Sequence, residues 1–516
     1  MEACVTVVEP AFQRPRQSAV SVIVFMLLVI PWVNPFSFGP TPAVAQWLLT
    51  GTAATTACLL FGVANVSLAT RRHIIARAWI ASAAVSAVIA LLQYFGAADF
   101  FGALINRAEV GQAYANLRQR NQLATLLNIG LVAVVVLPLG TKKDLLGECG
   151  AAIVLVMLLS AANAATGSRT GFFQLWLLIA MGFFWRRDRK LLLPMAASYV
   201  AAAWILPASF GSNPFASGIL SRVTESNLVC TSRLTLWSNV LHLVSQKPWL
   251  GWGWSEVDYA HFITLYPGVR FCEILDNAHN LPLHLAVELG IPVALVFCGA
   301  CAWMVWRNKP WAETVPTRQL AWGVLAVIGL HSMLEYPLWY GPFQMAFALC
   351  IWLLWRPKVQ ALGAVTGVLA MQPHPVRIAS GWMGATAAAL VMGAVAYAAW
   401  DYHRISQIYL APQERSQAYR DHPLEKAQAS WLFRDQVQFA ELTTTELTPD
   451  NAAQINALAK EVLHFSPESR VVAKVIESAI MLGHDDEVAF FSQRFQAAYP
   501  QEYAHWNKRV DSNEAK

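Results

Sequence analysis

Charge is the scarcest property of this 516-residue chain: Asp, Glu, Lys and Arg make up 13% of it against 56% hydrophobic residues. That is too little polar surface to hold a folded domain of this size in water, so a soluble globular protein is excluded. No Lys, Arg or Asp falls in the core of any apolar run, and the two halves show no internal repeat. Transporters and flippases carry paired mid-membrane charges and inverted repeats, so that class is disfavoured. Cysteine is sparse too, eight residues in all, and Cys298 with Cys301 has no second pair to complete a metal site. These two, with Cys4, Cys58, Cys149 and Cys350, read as small apolar side chains. Neither a metal nor another cofactor is expected, and no nucleic-acid partner.

What the chain has in abundance is apolar runs long enough to cross ~30 Å of hydrocarbon as helices. Eleven are predicted: Ser18 to Val33, Val44 to Leu68, Ile74 to Phe95, Leu123 to Leu139, Cys149 to Ala165, Gly171 to Trp185, Leu191 to Ile205, Leu281 to Trp306, Leu320 to Leu334, Phe343 to Trp355 and Ile378 to Trp400. Val359 to Met371 is short and Gly-rich, and reads as an interfacial or re-entrant piece. With the amino terminus inside, the cytoplasmic segments hold 17 Lys or Arg and the opposite loops only 8, despite their greater length. The positive-inside bias therefore places the long loop 208–280 and the carboxyl-terminal tail outside. Ala43-Val44-Ala45 resembles a signal cleavage site but lies beyond the first apolar run, so that run reads as an uncleaved span. The predicted fold is an all-α polytopic membrane protein, with a transmembrane domain over 1–400 and a soluble helical domain over 401–516.

The tail holds 17 of the 32 acidic residues. Ile455, Leu458, Ala459, Val462 and Leu463 follow helical spacing, as do Val472, Val475, Ile476, Ala479 and Ile480. Ser466 with Pro467 makes a cap and first-turn pair, Gly483 stops one helix, Asp485 to Ala498 forms another, and Pro500 is expected to end the unit. Such a helix pair resembles a tetratricopeptide repeat. Capping the membrane part and docking a protein or peptide fit it equally.

Cys230 and Cys272 differ from the other cysteines because both belong to the outer loop, where the compartment is oxidising. A disulfide between them is predicted, and closing a loop of this size stabilises by roughly 4 kcal/mol in the chain-entropy model.

Three residues at predicted outer helix mouths carry chemistry: Arg169 in Gly167-Ser168-Arg169-Thr170-Gly171, Arg233 in Thr231-Ser232-Arg233, and His279 in Asp276-Asn277-Ala278-His279-Asn280. A single such arginine is usually an interfacial anchor. Together, two guanidinium forks suit phosphate oxygens, and a neutral imidazole takes a proton near neutral pH. A lipid pyrophosphate offers the matching geometry, with phosphates at headgroup level and a sugar in the outer loop. A hydroxyl activated by the histidine and attacking the anomeric carbon directly would invert its configuration.

The segments Arg118-Gln119-Arg120-Asn121-Gln122-Leu123-Ala124-Thr125, Gly167 to Gly171, Arg233 with Trp237, Gly251-Trp252-Gly253, Ala278-His279-Asn280 and His331-Ser332-Met333-Leu334-Glu335-Tyr336-Pro337 together resemble the O-antigen ligase superfamily. The resemblance is closest to bacterial PglL-type protein O-oligosaccharyltransferases. It implies transfer of a preassembled oligosaccharide from undecaprenyl pyrophosphate to a Ser or Thr hydroxyl of a periplasmic acceptor protein such as a pilin, at the bacterial inner membrane, without nucleotide or metal. It further implies that His279 is the essential loop histidine, that Arg169 and Arg233 bind pyrophosphate, and that Tyr336 is needed for transfer. Gln122, rather than Gln119, matches the glutamine of the fourth-span motif, and Arg120 joins the donor-binding set. Tyr336 beside Pro337, Trp339 and Tyr340 also reads as an interfacial belt. Glu335 and Glu288 read as interfacial, and His261, His284 and His331 have no clear partner.

Two further readings share the lipid carrier: a ligase attaching glycan to lipid A core, and a polymerase joining glycan repeats. A membrane-anchored assembly factor with the tail as its working part is a third class, for which eleven spans are excessive.

Overall fold

In hydrocarbon every backbone N–H and C=O must be satisfied within its own segment, which leaves helices as the natural choice for apolar runs. In the computed structural model, which describes residues 13–64, 66, 68–137, 145–209, 229–355 and 376–514, every regular element is a helix or a short 310 turn. The first part of the outer loop with Arg222, the piece from Val359 to Met371, and Cys4 lie outside the described residues. In chain order the longer helices are α1 Gln13–Val33, α2 Pro42–Val63, α3 Leu68–Tyr94, α4 Arg120–Val136, α5 Leu145–Ala165, α6 Arg169–Phe184, α7 Arg189–Ala208, α8 Arg233–Gln246, α9 Val257–Ile263, α10 Leu281–Leu289, α11 Ile291–Asn308, α12 Pro316–Ser332, α13 Gly341–Trp355 and α14 Val376–Ser406. The tail adds α15 Arg434–Thr444, α16 Ala452–Phe465, α17 Ser469–Leu482, α18 Asp485–Ala498 and α19 Pro500–Glu514.

Contacts divide the chain into two units, one of residues 1–225, 308–331 and 337–397, the other of 226–307, 332–336 and 398–516. In the first, α4 is the axis: from Gln122 to Val136 every residue is buried, as expected of a helix apolar on all sides. It packs against α3, α5 and α6, while α2 lies against α1 and α13. Trp32 of α1 meets Phe343 of α13 edge to face at 5.0 Å. Among the described residues four stretches, Pro42–Gly62, Thr70–Tyr94, Arg189–Ala208 and Ile291–Ala312, are long and apolar enough to cross a membrane, and five shorter helices are similarly apolar. The chain is thus an all-helical membrane protein.

In the second unit one expectation is corrected. The run from Leu281 to Trp306 is not a continuous helix, because Gly290, with φ of 88°, separates α10 from α11. The break is built by close backbone approach. Ile291 N donates to Pro248 O at 2.8 Å, and a Cβ on Gly290 would lie 2.2 Å from Trp249 O. The apolar side chains of α11, Leu295, Val296, Trp303 and Trp306, are exposed as a lipid-facing helix requires.

The tail follows its apolar spacing closely: α16 packs on α17, Gly483 in the left-handed region ends α17, and α18 occupies Asp485–Ala498. Pro500 does not end the unit; it opens α19, where a first-turn proline has no N–H to waste. Tyr503 and Trp506 then pack on Phe495 at 5.5 and 5.8 Å. This core also receives the outer loop. Phe262 of α9 is buried among the tail helices, Arg494 donates to Ile263 O at 2.7 Å, and His464 bonds Glu256 at 2.7 Å while stacking on Tyr259. Phe262→Ala should therefore loosen the loop on the tail by about 3–5 kcal/mol, seen as faster proteolysis around α9 and α16; unchanged resistance would contradict this packing.

Candidate active site

The site in the second unit begins with a disulfide. Cys230 and Cys272 are bonded with Cα atoms 5.4 Å apart, and Cys272 N donates to Cys230 O at 3.3 Å. Directly after Cys230, Ser232 caps α8: its Oγ accepts from Thr235 N at 3.1 Å, one of the donors a helix start leaves unsatisfied. Arg233 is thereby fixed as the first residue of α8. One turn on, Trp237 donates its indole N–H to Ala278 O at 3.1 Å, which pins the strand of loop immediately before His279.

His279 itself has φ of 50°, the left-handed region, where a non-glycine residue costs roughly 1–2 kcal/mol. It is held there on both sides. Asn277 Oδ1 accepts from His279 N at 2.9 Å; Asn280 caps α10 through Leu283 N at 3.1 Å and donates to Met333 O at 3.0 Å. Behind α10, Trp252 N and Gly253 N donate to Val287 O and Glu288 O at 2.8 and 3.0 Å. A Cβ on Gly251 would lie 2.3 Å from the Glu288 carbonyl, so the Gly-Trp-Gly motif works as a backbone clasp on the helix that follows the histidine.

The centre is Glu335. It was expected to be interfacial; instead it is 5% exposed. One carboxylate oxygen pairs with Arg233 Nη2, and the other lies 2.9 Å from His279 Nδ1. Tyr336 meets the His279 ring edge to face at 4.9 Å. Burial pushes the Glu335 carboxyl upward, but the hydrogen bond from His279 and the charge of Arg233 outweigh it and hold the group at about 2. An ionised carboxylate only accepts, so the neutral form of the imidazole carries its proton on Nδ1 and its lone pair on Nε2, the arrangement that makes an imidazole a base. Arg233 Nη1 has no hydrogen-bond partner among the described residues. Nearby, burial lifts the Asp276 carboxyl.

The other expected residues belong to the first unit. Gln122, buried, and Arg120, half-buried, lie in the first turn of α4, and Arg169, exposed, is the first residue of α6. Ser168 joins these two helix starts: its Oγ accepts from Gly171 N at 2.9 Å and donates to Asn121 Oδ1 at 2.6 Å. Below them runs a buried polar network that the sequence did not reveal. Gln174 donates to Thr125 Oγ1 and Val327 O, Asn128 donates to Gln174 Oε1 at 3.2 Å, and Thr125 Oγ1 lies 2.8 Å from His331 Nδ1. Each of these side chains is neutral or can be, which is how polar groups are tolerated at such depth.

The remaining histidines acquire structural partners. His261 sits between Tyr266 Oη at 2.8 Å and Phe271 O at 3.1 Å, and burial beside Arg270 drives it down to about 3. His284 faces Glu288 at 3.5 Å. Among the described residues no group of three or more His, Cys, Asp or Glu is placed to hold a metal ion.

Comparison with known proteins matches three stretches to family models: residues 113–137 to "Protein glycosylation ligase", 153–298 to "O-Antigen ligase" and 319–514 to "Virulence factor membrane-bound polymerase, C-terminal". Two curated relatives come from Acinetobacter baylyi. A "General O-oligosaccharyltransferase" is 25% identical over 279 residues, 51% of this chain and 47% of the relative. A "ComP-specific O-oligosaccharyltransferase" is 26% identical over 249 residues, 48% and 44%. The chain thus matches somewhat under half the length of these relatives.

Because the Glu335 carboxyl is depressed from 4.5 to about 2, its stabilisation is complete above pH ~4.5 and lost as the pH falls through about 2. Glu335→Gln should destabilise by about 1–3 kcal/mol at pH 7. The gap to the parent in unfolding midpoint should narrow as the pH is lowered towards 3; a gap independent of pH would contradict an ionised Glu335.

Proposed function

We propose that this chain, which the matches place in the O-antigen ligase superfamily close to its PglL-type members, is an O-linked oligosaccharyltransferase. It moves a preassembled glycan from undecaprenyl pyrophosphate to a Ser or Thr hydroxyl of a periplasmic acceptor protein. The observation that carries this reading is the imidazole, carboxylate and guanidinium set of His279, Glu335 and Arg233, buried at its centre and open at its ends.

In the step proposed, the acceptor hydroxyl gives its proton to His279 Nε2 as its oxygen attacks the anomeric carbon. The bond from that carbon to the phosphate oxygen breaks, the configuration inverts, and the lipid pyrophosphate leaves with the bonding pair. Arg233, whose side chain is partly exposed beyond its pair to Glu335, neutralises the charge growing on the leaving oxygen, a contribution often among the largest in catalysis. Glu335 fixes the histidine tautomer, and Tyr336 orients the ring. Arg169, Arg120 and Gln122 supply the remaining contacts to the carrier: two adjoining helix starts with arginines form an anion-favouring surface. The reading includes eleven spans with the amino terminus in the cytoplasm, the loop and the repeat-like tail in the periplasm, and no metal or nucleotide.

A second reading is kept for one observation. Residues 319–514 match a polymerase model, and a polymerase would use the same donor with a glycan hydroxyl as acceptor. Purified protein given lipid-linked oligosaccharide with a pilin-like protein, a lipid A core or a second lipid-linked glycan separates the cases by product mass. Glycosylated protein is expected; glycan joined only to glycan or lipid would overturn the protein acceptor. In the same assay His279→Ala should lower transfer by about 10²–10⁴-fold with the protein still inserted. Arg233→Lys should impair it because a point charge does not reproduce the fork, and EDTA should change nothing. Full activity in both variants would remove the proposed base and clamp.

A further inference from the structure

A cavity of about 340 Å³ opens in the first unit among α1, α2, α3 and α13, within the ~300–1,000 Å³ typical of small-molecule sites. Its room comes from small residues: Ala57 and Cys58 of α2 face Leu349 and Trp352 of α13, with Leu28 of α1 beside them. Such a lining gives water almost no hydrogen-bond partners, so water is a poor occupant. Hydrocarbon is the better one, and α2 and α3 are both long and apolar enough to be bathed in it.

The cavity is not apolar throughout. Arg71 closes one end, where its Nε and Nη2 donate to Val66 O and Phe61 O at 2.7 Å and its guanidinium lies over the rings of Phe61 and Trp352 at 5.3 and 5.8 Å. The two carbonyls and two rings hold a positive group at a fixed place against the apolar volume. Arg72 and Arg77 follow on the same helix, and the sequences of α1, α2, α3 and α13 contain no Asp or Glu at all. The lining residues thus offer an apolar slot capped by positive charge.

We infer that this cavity binds one acyl chain of an anionic phospholipid, with the headgroup phosphate drawn to Arg71. Charge complementarity selects the anionic lipid, since juxtamembrane basic residues favour anionic headgroups. The site is independent of the glycan-transfer reading. The predicted topology puts Arg71 at the cytoplasmic ends of the spans, on the side opposite the outer loop.

Cys58 makes the inference testable because it lines the cavity and is exposed. In a chain with Cys4, Cys298 and Cys301 replaced by serine or alanine, reconstituted in phosphatidylglycerol or in phosphatidylcholine vesicles, Cys58 is alkylated with N-ethylmaleimide. Alkylation is expected to be about fivefold slower in phosphatidylglycerol, and Arg71→Gln is expected to erase the difference. Ala57→Leu, which fills the slot, should remove the phosphatidylglycerol retained on the protein in native mass spectrometry. Equal alkylation rates in the two lipids, or a difference that survives Arg71→Gln, would overturn the site. The lipid comparison with Arg71 intact decides the matter even where a variant fails to fold.

Discussion

A buried carboxylate is costly unless each of its oxygens finds a strong partner, and Glu335 finds two, one on Arg233 and one on His279. The rest of the second unit can be read as the means of keeping those partners in reach. The disulfide and the Ser232 cap place the start of α8, the Trp237 indole fixes the loop beside it, and Asn277 and Asn280 hold His279 in a backbone conformation it would not choose alone. Strain stored at one histidine and balanced by several ordinary hydrogen bonds is typical of a residue retained for chemistry rather than for packing.

The glycines follow the same logic. Gly251 and Gly290 permit two backbone segments to approach more closely than any side chain would allow, which turns the start of an apolar run into the short helix α10 and a separate α11. His279 then stands at the head of a helix held by main-chain bonds. On the other side of the loop, Phe262, Tyr259 and Glu256 bind the tail helices. The tail therefore belongs to the same unit as the loop that carries the histidine, a placement suited to influencing what reaches it.

Much of this was legible in the sequence. Apolar length and spacing gave the helices, and the tail helix Asp485–Ala498 agrees to the residue because its periodicity and bounding glycine and proline are unambiguous. Arg233 and His279 were visible as polar residues at the ends of apolar runs. Glu335 reads from sequence as interfacial, although it is the only Asp, Glu, Lys or Arg between Arg318 and Arg356. An isolated acid in so long an apolar stretch had a signal, but its two partners lie 102 and 56 residues away, and only the fold brings them together. The break at Gly290 was hidden for the same reason, since it depends on the approach of Trp249. The network of Thr125, Asn128, Gln174 and His331 was invisible because its members are uncharged and scattered along three helices.

The central claim is that Glu335 holds His279 with its proton on Nδ1 and its lone pair on Nε2. Nitrogen NMR of histidine-labelled protein in nanodiscs, at a pH where imidazoles are neutral, tests it most directly, with the His279 signal assigned by its loss in His279→Ala. A protonated Nδ1 and an imine-like Nε2, exchanged for a mixture of tautomers in Glu335→Gln, is the predicted result. A proton on Nε2 in the parent protein, or spectra indifferent to the Glu335 substitution, would contradict the account.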